Sequence, residues 1–101
     1  MVFSDFWGVL QSNLRPGDVI RNWTAARGYL GDTFEVVLVK SDCVVIQAPN
    51  AETFLRVPRK DFDLIYRKWG DYIAGTVLRK AFMTDTRVSK YTISIISHLI
   101  T

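Results

Sequence analysis

A chain of 101 residues makes one domain (1–101) with room for a single hydrophobic core, which excludes a separate catalytic domain beside it. Hydrophobic residues make up 49% and aromatic ones 13%, too apolar a mixture for disorder and rich enough to place some rings in a subunit interface. The net charge of +3 is too small to be a nucleic-acid signature by itself, but it is unevenly placed: residues 1–50 carry four basic against five acidic side chains, residues 51–101 nine against five.

Phe3, Phe6, Trp7 and Leu10 recur at the spacing of one helical face and Ser4 stands where an N-cap would, which predicts a short helix over about 5–12. The segment has no basic n-region, carries Asp5 and lacks a small-residue cleavage site, so it does not read as a signal peptide. No run of apolar residues approaches the ~18 of a membrane span, and the expectation is a cytoplasmic protein with no membrane partner. Pro16 and Gly17 turn the chain into "VIRNWT", a short extended piece, while "AARGYLGD" holds two glycines around Tyr29 and Leu30 and takes no assigned state.

From Thr33 the period changes to that of strands. "TFEVVLVK" and "CVVIQAP" are rich in β-branched residues and are separated by Ser41 and Asp42, which predicts a hairpin. "NAET" is a second turn, and "FLRV" a third strand that stops at Pro58, which has no backbone donor. The fold class is therefore α+β. An N-terminal helix precedes a three-stranded antiparallel meander over about 33–58, and one face of that meander is covered by two or three C-terminal helices over about 60–74, 77–82 and 87–100.

In "DFDLIYRKWGDYIAG" the helical spacing puts Phe62, Ile65, Trp69 and Ile73 on a buried stripe, with Tyr66, Lys68 and Tyr72 at its edges. Asp61 and Asp63 fall in the first turn, Arg67 lies four residues from both Asp63 and Asp71, and Gly75 stands where a helix ends. Beyond the short helix ending near Phe82, Asp85 or Thr86 is placed to cap the last one. Within it Val88, Tyr91, Ile95 and Leu99 keep helical spacing, although "YTISI" also alternates as a strand would.

The catalytic inventory is thin. With one cysteine, Cys43, and one histidine, His98, there is no disulfide, no cluster with metal-ligand spacing and no cofactor-binding motif. Asp61 and Asp63 are two apart on a helix and point to different faces, so they do not bracket one scissile bond. "GYLGD" has neither the glycine spacing nor the lysine of a phosphate loop.

Two other constellations stand out. The C-terminal helices run in the order of a helix-turn-helix, in which Arg87, Ser89 and Lys90 would enter a DNA groove while Arg79 and Lys80 met phosphates. The rings of Trp7, Trp23, Tyr29, Tyr66 and Tyr72 are the candidates for lining an apolar cleft or a dimer interface.

The segments "DFDLIYRKWGDYIAGTVLRKAF" and "SKYTISIISHLI", about the last 40 residues, resemble the C-terminal pattern of small uncharacterised proteins carried on mobile integron gene cassettes. That resemblance implies a compact, frequently self-associating α+β domain and no particular reaction. The leading expectation is a non-enzymatic homodimer that binds a small molecule or mediates an interaction. A nucleic-acid-binding module comes second, and a hydrolase-like enzyme in which Cys43 and His98 meet comes third.

Overall fold

Four antiparallel strands, β1 (Val19–Thr24), β2 (Gly28–Val39), β3 (Cys43–Gln47) and β4 (Leu55–Pro58), pair in sequence order in the computed structural model, which describes residues 2–83 and 86–100. Alternation sets one face of this sheet inward: Ile20 lies opposite Phe34, Val36 opposite Ile46 and Val44 opposite Val57, and all six side chains are buried. The β2–β3 turn at Ser41 and Asp42 is tight, with the Lys40 amide donating to the Cys43 carbonyl at 2.9 Å. The meander thus has one strand more than the expected three. The sequence 19–24 pairs with an extended β2 that starts at Gly28, inside the glycine-containing segment "AARGYLGD". Gly28 and Gly31 dilute the β-branched signal there. Yet Gly28, at φ 70°, supplies the left-handed residue at the turn, and an irregularity between Arg21 and Trp23 absorbs the mismatch in length.

Helices cover the inner face. The first, α1 (Phe3–Asn13), buries Phe6, Trp7 and Leu10. Ser4 lies inside it and not at its cap; Val2 occupies that position and no side chain bonds the helix start. The predicted helix over 60–74 is two helices, α2 (Arg59–Arg67) and α3 (Trp69–Ala74), broken at Lys68, whose φ of −106° and ψ of 13° leave the helical region. The break changes which side chains turn inward. Phe62 and Ile65 are buried as the stripe requires, but after Lys68 it is Tyr72 that is buried, and Ile73 is 49% exposed. Arg67 pairs with Asp63 at 2.7 Å, four residues back within α2.

The expected helix over 77–82 is a single 3-10 turn, Arg79–Ala81. The last helix, α4, runs Ser89–Ile100. Its strand-like alternation is absorbed by hydroxyls that bond the helix's own backbone, with Thr92 Oγ1 donating to the Val88 carbonyl at 3.1 Å and Ser94 Oγ to the Lys90 carbonyl at 2.9 Å. Of the two expected caps, Asp85 lies outside the described residues. Thr86 accepts from the Val88 amide at 3.1 Å and donates to the Asp61 carboxylate of α2 at 2.5 Å, which fastens the start of α4 to α2. Both residues are buried, so Asp61 is a core hydrogen-bonding group and not only a partner of the helix dipole.

The core gathers Phe6 and Leu10 from α1, Phe34 and Ile46 from the sheet, Phe62 and Ile65 from α2, and Ile93, Ile95 and Ile96 from α4. Because α4 packs on both the edge strand β1 and on α2, it buries residues on most of its circumference.

Candidate functional site

The irregular start of β2 positions one wall of a cleft. In the β1–β2 hairpin Thr24 Oγ1 accepts from the Arg27 amide at 3.2 Å, and the left-handed Gly28 follows, so the tip is tight and Arg27 projects from it exposed. The opposite wall comes from the end of α3. Gly75, at φ 85°, closes a Schellman motif in which its amide donates to the Tyr72 carbonyl at 3.2 Å and the Thr76 amide to the Asp71 carbonyl at 3.0 Å. The Val77 amide also donates to Asp71, at 3.2 Å, so the chain folds back and sets Val77 and Leu78 in the same wall as Ile73.

Between the walls lies a half-open cleft of about 480 Å³. Leu30, Ile73, Val77 and Leu78 make most of its lining apolar, and Tyr72, Arg27, Arg79 and Lys90 supply polar groups. This volume falls within the range of small-molecule sites. The Tyr72 hydroxyl accepts from the Ala25 amide at 3.1 Å and so joins the two walls. Behind it, Trp69 lies 5.5 Å from the Tyr72 ring and stacks on Trp23 at 5.9 Å. The edge strand is tied down beside them, where the Trp23 amide donates to Ser94 Oγ of α4 at 2.9 Å.

Charge at the cleft is one-sided. Lys90 is ion-paired with Asp32 of β2 at 3.1 Å, and that hydrogen bond holds the Asp32 carboxyl below its ordinary value of 3.8. Arg27 and Arg79 have no carboxylate within ion-pair distance among the described residues, in contrast to Arg56, which pairs with Asp42, and Arg67, which pairs with Asp63. A second, smaller depression of about 310 Å³ lies along Val19, Glu35, Gln47 and Pro49.

Of the five rings expected to line a cleft or an interface, only Tyr72 lines this one. Trp7 is buried against Phe62 and donates from Nε1 to the Ser41 carbonyl at 3.1 Å, so it braces the β2–β3 turn. Tyr66 stacks on Phe6 at 4.4 Å, and Trp23 backs the cleft through Trp69. Tyr29 is exposed, with the Arg21 guanidinium 4.7 Å over its ring.

The basic set divides likewise. Arg79 and Lys90 line the cleft, Lys80 and Arg87 are exposed, and Ser89 is buried. A single 3-10 turn stands where the middle helix of a helix-turn-helix was expected, and in the first turn of α4 Ser89 is buried and Lys90 is paired with Asp32.

Sequence reasoning missed Arg27, Leu30, Ile73, Val77 and Leu78. The usable signals were the glycines at 28 and 75, which mark the two turns that bring these residues together.

Cys43 is buried in β3 while His98 is exposed on the last turn of α4. Among the described residues no group of three or more His, Cys, Asp or Glu side chains is placed to hold a metal ion, and no helix is long and apolar enough to cross a membrane. Compared with protein-family models, with curated proteins and with solved structures, the chain matches none.

Proposed function

We propose that this chain is a small-molecule-binding protein whose site is the cleft between the β1–β2 hairpin and the end of α3. The observation that carries the reading is the placement of Ile73 and Leu78. Both are about half exposed, and both border a concave space of ligand size that the fold could have filled with them. Apolar side chains left in contact with water around a concavity gain roughly 25 cal/mol per Å² when a ligand covers them. The cleft is built from one chain, so the reading stands whether or not the protein forms the homodimer that its apolar load suggests.

The test is a titration with 1-octanol followed by tryptophan fluorescence, for which Trp69, beside Tyr72, is the reporter. Saturable binding is expected, weakened about tenfold or more by Leu78→Asp or Ile73→Asp, since each puts a charge where apolar contact is made. Equal affinity in both variants would place the binding elsewhere and remove the proposal.

A further inference from the structure

We infer that the ligand of this cleft is a soluble carboxylic acid with an apolar body, its carboxylate held by Arg27 and Arg79. This rests on the cleft being a binding site and adds the chemical class that the site takes. Every charged side chain in the described lining is cationic, and one of the three is already satisfied: Lys90 by Asp32. Arg27 and Arg79 are left without a carboxylate among the described residues, on opposite walls of a predominantly apolar space. A guanidinium offers a planar fork of donors that matches a carboxylate and is more weakly hydrated than an ammonium, so an anionic head beside an apolar body complements both halves of the lining.

Tyr72 adds a third group. Its oxygen accepts from the Ala25 amide, and its own proton has no acceptor among the described residues, which leaves the phenol able to donate to a carboxylate oxygen. A polyphosphate is a poorer match. It needs many donors around its charged oxygens, whereas Leu30, Ile73, Val77 and Leu78 make most of this lining apolar. A cationic amphiphile would meet the repulsion of both arginines.

Three ligands that share one alkyl chain separate the claims: octanoate, 1-octanol and octylammonium, titrated into the full chain at low salt. Octanoate is expected to bind about tenfold more tightly than 1-octanol, and octylammonium most weakly. The gap should shrink when salt is raised and in the double variant Arg27→Gln, Arg79→Gln, whose thermal midpoint is measured alongside to confirm that it folds. If 1-octanol and octanoate bind equally and Ile73→Asp weakens both, the cleft is a binding site but the carboxylate assignment is wrong. If none of the three binds, the cleft reading itself fails, and the carboxylate assignment with it. The comparison of ligands on the unmutated chain keeps the assignment open to refutation even where a variant misfolds.

Discussion

The Ala25 amide donates to the Tyr72 hydroxyl at 3.1 Å, a bond across 47 positions that joins the hairpin tip to the end of α3 and so spans the two walls of the cleft. Replacing Tyr72 by Phe keeps the ring beside Trp69 and, in the unliganded protein, removes only this tie. Stability should fall by about 1 kcal/mol in urea denaturation, and the Ala25 amide should exchange its hydrogen faster. An exchange rate equal to that of the unmodified protein would mean that the bond does not hold the hairpin.

Asp61 and Thr86 form the second long-range tie, buried between α2 and the start of α4. Asp61→Ala leaves the Thr86 hydroxyl without its acceptor, and Thr86→Val leaves a buried carboxylate without its donor. Each should destabilise by roughly 1–3 kcal/mol. Thr86→Val also removes the acceptor of the Val88 amide, but the bond to Asp61 is lost in both single variants, so the double variant should lose clearly less than the two losses added together, and strict additivity in denaturant midpoints would show that the groups act independently.

The Lys90–Asp32 pair makes stability depend on acidity. Its hydrogen bond with Lys90 lowers the Asp32 carboxyl from the ordinary 3.8, so the folded state binds that proton less readily than the unfolded chain does. The contribution is therefore complete above the ordinary value and is lost as pH falls through the lowered one. Acid unfolding of Asp32→Asn should be less steep below about pH 4 than that of the unmodified chain, while the two curves run parallel near neutrality. Parallel curves throughout the acid range would count against the pair.

Phe62 and Ile73, eleven residues apart, have opposite fates on either side of the break at Lys68. Phe62 is fully buried, and Phe62→Ala should cost about 3–5 kcal/mol. Ile73 is half exposed, and Ile73→Ala should stay within about 0.5 kcal/mol while weakening ligand binding. A large loss of stability at Ile73 would restore the continuous buried stripe that helical spacing alone suggests.

That contrast shows where the sequence was legible. Local periodicity identified α1, the β2–β3 hairpin, β4, the inward placing of Phe62 and Ile65, and the stop at Gly75, because each depends on neighbours within a turn or two. The break at Lys68 was not legible: the aromatic spacing runs straight through it, and the inward Tyr72 meets partners outside its own helix, the Ala25 amide and the Phe82 ring. Residues 19–24 were legible as an extended piece but not as a paired strand, since their partner opens with glycines at 28 and 31 that local propensity reads as loop. Tyr72 could be named as a candidate from its type. Arg27 and Leu78 could not, because only the hairpin and the Schellman turn bring them to one cleft.

The most direct test of the cleft as a carboxylate site is an amide ¹H–¹⁵N map recorded while octanoate is titrated in. Shift changes should saturate and concentrate in residues 25–30 and 72–79, the two walls of the cleft. Absence of shifts at saturating octanoate, or shifts confined to the exposed face of the sheet around Val19 and Leu38, would contradict the assignment.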